Sequence, residues 1–309
     1  MDHDLLEKLT IAVPVYNDGT YIRATVESCL GQAGRVLIYN NASSDATNQI
    51  GEDLAAAHPA VRHIRHPANI GAFENFKRSL FACETEYFSW VGSHDKLERN
   101  YSMRILQALE KNKNAALATG TIMYIDEDGR TTGQKTKARW TAQTAGKDAL
   151  DRAGICAAKI KDCFLFYGVY RTEAARAAWF DQPSLGFDRA FVCKVAAQGE
   201  LLYVPDAVFY ARDFVKSRKE MTVNDRRAKV IGKSENAPIS KDLLYRNKSM
   251  AQTVLDLAQN DRDLARAFVY IDKINRRYSS RRKYQKRRLI YIAGGLAALG
   301  LTVAAALLI

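Results

Sequence analysis

Short apolar runs alternate with amphipathic stretches through the first two-thirds of the chain. Leu9-Thr-Ile-Ala-Val-Pro-Val15, Arg35-Val-Leu-Ile-Tyr39, Val61 to Arg65 and Tyr87-Phe-Ser-Trp-Val91 each read as strands. The first, second and fourth are apolar almost throughout, the pattern of strands covered on both faces. Between them the period changes. Ile22, Val26, Cys29 and Leu30 fall on one helical face, as do Ile50 and Leu54, then Phe73, Phe76 and Leu80, then Tyr101, Ile105, Leu106 and Leu109. Strands alternating with helices of this length predict an α/β fold with a largely parallel, doubly wound sheet.

From Ala115 the pattern shifts. Ala116 to Ile125 and the turn Asp126-Glu-Asp-Gly129 predict a hairpin-like excursion. Thr131 to Gly146 is polar and reads as a mobile loop. A helix is expected over Ala149–Lys159, a strand over Phe164–Arg171, a helix from Gly186 to near Gly199, and a strand pair within Leu201–Tyr210. Lys241 to Arg288 reads as helical. These breaks divide the chain into residues 1–215, a basic helical region over 216–288, and an apolar segment over 289–309.

Charge changes the picture at the C-terminal end. The net charge is +12, and much of the excess lies in Lys273–Arg288, which contains no acid. Leu289–Ile309 then contains no charged residue at all. As a helix it matches the ~30 Å bilayer core, so a single-pass C-terminal membrane anchor is expected. Positive charge beside it places the preceding chain on the cytoplasmic side, at the cytoplasmic membrane, with anionic lipids as partners. The basic residues adjoin a membrane-length segment instead of being interleaved with aromatics over a surface, so no nucleic-acid partner is expected. Five scattered cysteines without metal-type spacing fit reduced thiols.

Candidate chemistry centres on Trp90-Val-Gly-Ser-His-Asp95, where a buried strand breaks at Gly92 into a polar cluster. A carboxylate at the carboxyl end of such a strand lies where open α/β sheets bind ligands. Asp95 there can hold a divalent metal, Mg2+ or Mn2+, against a diphosphate. From these residues alone, that reading and a plain surface turn are both open.

Four segments, taken in order, resemble the family-two inverting glycosyltransferases of the GT-A fold. They are Thr10-Ile-Ala-Val-Pro-Val-Tyr-Asn17, Ile38-Tyr-Asn-Asn-Ala-Ser-Ser-Asp-Ala-Thr47, Asn69-Ile-Gly71 and Trp90 to Asp95. The resemblance spans about Leu9 to Arg212 and implies a bacterial GT-A domain over 1–215 that uses a nucleotide-sugar donor. It implies that Pro14, Tyr16, Asn17, Asn40 and Asn69 cradle the nucleotide, that His94 and Asp95 meet the diphosphate, and that Asp188 in Gly186-Phe-Asp-Arg is the general base. With a membrane anchor, the implied acceptor is a lipid-linked or cell-envelope glycan. The sequence departs from the pattern where Asn40 and Asn41 replace common acids, and where Gly92 and His94 thin the metal motif to one carboxylate. Two other functions remain open: a nucleotidyltransferase acting on a sugar phosphate, and a GT-A-fold binding protein without activity.

Overall fold

The computed structural model describes residues 2–181, 186–214 and 245–278. Four parallel strands form its centre: β1 (Leu9–Val15), β2 (Arg35–Asn40), β3 (Val61–Arg65) and β4 (Tyr87–Trp90). Their order is β3-β2-β1-β4. Successive side chains of a strand serve opposite faces, which is why both faces can be apolar. Ile11, Val13, Val36, Ile38 and Tyr87 enter one core; Ala12, Leu37, Tyr39, Phe88 and Trp90 enter the other.

A short helix α1 (Asp2–Glu7) precedes β1, and the first core is closed by α2 (Ile22–Cys29), α3 (Thr47–Ala57) and α5 (Tyr101–Lys111), through Ile22, Val26, Leu54, Ile105 and Leu109. The second is closed by α4 (Ala72–Phe81), through Phe73 and Leu80. Helices before β3 thus lie on one face, and the helix leading into β4 on the other. The winding reverses between β1 and β4, and that reversal opens a crevice at the carboxyl ends of these two strands.

Beyond β4 the sheet runs β8-β6-β9-β5. These are β5 (Lys96–Leu97), β6 (Ala115–Ile125), β8 (Val169–Arg171) and β9 (Glu200–Arg212), with β7 (Thr131–Thr136) paired to β6. β8 is antiparallel to β4 and to β6, while β6 and β9 are parallel, so the doubly wound sheet is mixed. The expected hairpin at Asp126–Gly129 forms between β6 and β7.

Three expectations are corrected. Residues 131–146 are not a loop: β7 and a 3₁₀ turn over Arg139–Thr144 occupy most of them. β7 is a solvated edge strand with no apolar face, so its composition hides it. Phe164–Tyr167 is a 3₁₀ turn and only Val169–Arg171 is strand, since an unbroken apolar run carries no period. Leu201–Tyr210 belongs to one strand, which absorbs Pro205 at a register shift opposite Gly120 and Thr121.

Three further helices, α6 (Ala149–Lys159), α7 (Thr172–Ala178) and α8 (Phe187–Gln198), complete the second core. Two more follow, α9 (Tyr245–Leu255) and α10 (Asp261–Tyr278), and their Met250, Val254, Ala267 and Ile274 enter that same core. Arg266 ties α10 to α6 through Asp148 (2.6 Å) and Asp151 (2.9 Å). Tyr270 lies over Gly154, where any Cβ would stand 2.3 Å from the ring.

The expected membrane placement is also corrected. Among the described residues no helix is long and apolar enough to cross a membrane. Leu289–Ile309, on which the single-pass anchor and the cytoplasmic-membrane placement rested, lies outside the described residues.

Candidate active site

At the carboxyl end of β1 the chain turns sharply. Asn17 takes a left-handed φ of 51°, a conformation that Asn accepts more readily than most residues. Its N–H donates to Ser43 Oγ (3.0 Å) and its Oδ1 accepts from the Ser44 N–H (2.8 Å), which binds the β1 and β2 turns together. Asp45 accepts from the N–H groups of Gly19 (3.0 Å) and Thr47 (3.1 Å) and so shapes the same turn. Tyr16 stands outward with 47% exposure, an aromatic ring at the rim of the crevice. Pro14, one pair before the end of β1, sits beside Tyr39 of β2.

Asn40 is wholly buried. Its Oδ1 accepts from the Ser43 N–H (2.9 Å), and its Nδ2 meets Asn48 Oδ1 (3.3 Å) and His63 Nε2 (3.2 Å). Asn40 therefore supports the β2 turn from beneath. Asn41 holds the Asn69-Ile-Gly71 loop: its Nδ2 donates to Asn69 Oδ1 (2.8 Å) and its Oδ1 accepts from the Ile70 N–H (2.9 Å). Asn69 Oδ1 also accepts from the Gly71 N–H (2.9 Å). The side chain of Asn69 is thus oriented with its Nδ2 directed away from those contacts, and the residue is exposed.

The turn after β4 meets the turn after β1. Ser93 Oγ and His94 Nδ1 (2.9 Å) both bond Asp18 Oδ2. Thr25 of α2 holds the carbonyls of Ser93 and Asp95, each at 2.8 Å. Burial alone would lower the His94 pKa; the bond to Asp18 and the charges of Asp95 and Asp18 outweigh it and hold the imidazole above its ordinary value. Asp95 is only 4% exposed, and its Oδ1 accepts from the Arg212 N–H (2.8 Å). Its Oδ2 lies 2.5 Å from where a Cβ on Gly92 would sit, so an acid at position 92 has no room with Asp95 so placed.

Burial pushes the Asp95 carboxyl up to about 6, against the pull of His94 and Arg212. A raised folded-state pKa adds stability at low pH, and that stability is lost as pH rises through about 6. Asp95→Asn keeps an acceptor for Arg212 and removes the buried charge. In chelator at pH 8 this variant should unfold at a higher temperature than the parent, with a gain of about 2–3 kcal/mol. At pH 4 the advantage should vanish. Equal melting temperatures at both pH values would show that the charge is already compensated.

Asp188 stands in the first turn of α8, half-buried, after the left-handed Gly186. Phe187 fixes this helix start: its ring packs on Phe73 of α4 (5.2 Å) and on Phe166 (5.6 Å). Phe166 in turn stacks on Trp90, the last residue of β4, at 4.5 Å. That chain of rings ties the start of α8, on which Asp188 stands, to the end of β4. Sequence reasoning gave Asp18 no role, because an acid in a turn is read for its conformation. Its position after β1 at the winding reversal is the signal that identifies it. Lys96 Nζ lies near Gly129 in the β6–β7 turn.

The mixed, doubly wound sheet with its crevice at the ends of β1 and β4 is a GT-A-like α/β fold. The profile described as Glycosyl transferase family 2 matches residues 10–176, more than half of the chain, and the chain belongs to that family. The uncharacterized glycosyltransferase YibD of Escherichia coli K12 is 30% identical over 113 residues, which cover 35% of this chain and 33% of that protein. Chondroitin synthase of Escherichia coli is 32% identical over 125 residues, covering 39% of this chain and 18% of that protein. The chain thus spans a third or less of the length of these two relatives. Among solved structures, residues 1–349 of S. aureus TarS in complex with UDP-GlcNAc superpose with a TM-score of 0.61 at 15% identity, covering 94% of this chain and 81% of that one.

Proposed function

We propose that the chain moves a glycosyl unit from a nucleotide-sugar donor to an acceptor hydroxyl, with inversion at the anomeric carbon. The observation that carries this reading is the meeting of Asp18, His94 and Asp95 at the β1/β4 crevice; the first turn of α8 supplies Asp188 as the base of the reading. The Tyr16 ring offers a stacking surface for the base, and Asn17 and Asn69 border it with polar groups. His94, braced by Asp18, faces the diphosphate. Asp188 takes the acceptor proton while the acceptor oxygen bonds the anomeric carbon from the face opposite the diphosphate. The bond to the donor phosphate breaks and its electron pair leaves with the nucleoside diphosphate.

A divalent Mg2+ or Mn2+ fits beside this cluster. Asp95 is buried, and a bound cation would offset the burial that raises its carboxyl pKa. Among the described residues no group of three or more metal-ligating side chains is assembled. Magnesium commonly needs only one or two protein carboxylates when substrate phosphates supply further ligands. Asp95 and Asp18 would be those carboxylates, and the bound ion would neutralise the departing diphosphate.

The test is a panel of sugar nucleotides assayed for nucleoside diphosphate release, with Mg2+ or Mn2+ and with chelator. Turnover of at least one donor, lost in chelator, is expected. Folded protein that turns over none, or that releases pyrophosphate from a nucleoside triphosphate and a sugar phosphate, would overturn the reading. With the donor in hand, Tyr16→Ala should raise its KM by about tenfold, the loss of one aromatic stack. An unchanged KM would remove the ring from the donor site.

A further inference from the structure

Arg212 closes β9 and is buried, with 6% exposure. Its bonds converge on the turn after β4. The backbone N–H donates to Asp95 Oδ1 (2.8 Å) and Nε donates to the His94 carbonyl (2.9 Å). Nη1 donates to the carbonyls of Asp126 (2.5 Å) and Glu127 (2.6 Å) in the β6–β7 turn. The guanidinium lies over the Tyr21 ring at 4.5 Å and packs beneath Gly129, whose φ is +85°. Two residues on, the Phe214 ring contacts both His94 (5.0 Å) and Tyr21 (5.6 Å).

The geometry points to Arg212 as the positioning residue of the His94–Asp95 turn, holding it for the donor's diphosphate; this rests on the donor site proposed above. Arg212 binds the backbone of this turn from the β9 side while also gripping the β6–β7 loop. The planar guanidinium fork is what makes that possible, because Nε and Nη1 point along different directions fixed by one plane. A lysine there has one terminal nitrogen and cannot reach the His94 carbonyl and the β6–β7 carbonyls in the same geometry. The side-chain acceptors are neutral carbonyls, so the cation's field still acts on the crevice beside them. Thr25 holds the same turn from α2, and Asp18 holds it from β1. Arg212 is the restraint on the third side. Losing it should free the turn locally without opening the strands behind it.

Two measurements on the full chain test this. Hydrogen exchange of the Val91–Glu98 amides in Arg212→Lys should quicken by about tenfold or more, with α5 and β1 unchanged, as expected for a local opening. Unchanged exchange in that segment would overturn the proposal, whatever the enzyme turns over. With an active donor, Arg212→Lys should lower kcat/KM for the donor by about thirtyfold, and it should add little in a His94→Ala background, since coupled residues are not additive. Fully additive losses would mean that Arg212 acts elsewhere. Arg130→Lys, an exposed arginine of the same hairpin paired with Asp128, is the control and should leave both readouts alone. Should Arg212→Lys fail to fold, Tyr21→Leu removes the ring under the guanidinium and should loosen the same segment by a smaller factor; no loosening there also overturns the proposal. A wild-type chain inactive with every sugar nucleotide counts against the donor site, and the exchange measurement then judges Arg212 by itself.

Discussion

Asp188→Asn should reduce sugar transfer by about 10²–10⁴-fold while the protein remains folded, the usual contribution of a positioned general base. The substitution preserves shape and removes the proton acceptor, so the loss should appear in kcat, with donor KM within a few-fold of the parent. A carboxylate in the first turn of a helix has a second use, because it faces the positive end of the helix dipole. That role is worth about 0.3–1 kcal/mol and would appear as a small fall in melting temperature with activity kept. The two roles therefore separate in one experiment. Steady-state rates and a thermal melt on the same sample decide between them, and full activity with a lowered melting temperature would sink the base. Asp188→Ala should match the loss of Asp188→Asn, because neither side chain accepts a proton near neutral pH.

The central strands were legible because each carries its own apolarity. Buried parallel strands such as β1 and β2 need no partner to be recognised, and the helices between them show their period directly. The polar strand β7 and the 3₁₀ turn at Phe164–Tyr167 were not legible, for opposite reasons. One has no apolar face, and the other is apolar without a period. The site divides in the same way. Asp95 and Asp188 stand at segment boundaries that the pattern exposes. Asp18 becomes meaningful only once β1 and β4 are known to be neighbours, and strand order is a tertiary fact that no local window contains. Arg212 closes a strand more than a hundred positions from Asp95; from the sequence a phosphate contact and a solvated arginine are equally open, and its hold on the Asp95 turn shows only once both ends are in place.

The departures at Gly92 and His94 acquire a physical sense in the same way. With Asp95 turned into the fold, position 92 has space for a hydrogen atom and nothing larger. His94 then takes the crevice-facing place, braced on Asp18. Asp18 of the β1 turn thus brings a second carboxylate beside His94, a neighbour that the linear motif does not show. Asn40 and Asn41 show the complementary case. Both are buried and hold loops together, a task in which a neutral amide that donates and accepts is better suited than an acid.

Gly120→Ala should be the most damaging glycine-to-alanine change among the described residues. Gly120 lies inside β6, directly where its pairing with β9 shifts register. A Cβ there would sit 2.1 Å from the Ala207 carbonyl oxygen, 2.8 Å from the Ala207 carbonyl carbon and 2.9 Å from Tyr101 Cε2. Two of the three obstacles are backbone and cannot rotate away. Relief requires β9 to move off β6, and Ala207 is itself fully buried between packed elements. Overpacking of this kind costs about 1–3 kcal/mol where side chains can yield, and more where backbone must move. The expected loss is therefore about 3 kcal/mol or greater, seen as a fall of roughly 10 °C in melting temperature or as insoluble expression. Gly133→Ala supplies the contrast. That glycine has φ of +77° and open space around its missing Cβ. Its replacement costs only the left-handed strain, about 1–2 kcal/mol, on a solvated strand. If Gly120→Ala melts within a degree or two of Gly133→Ala, the β6–β9 contact is looser than described, and with it the anchoring of Arg212 at the end of β9.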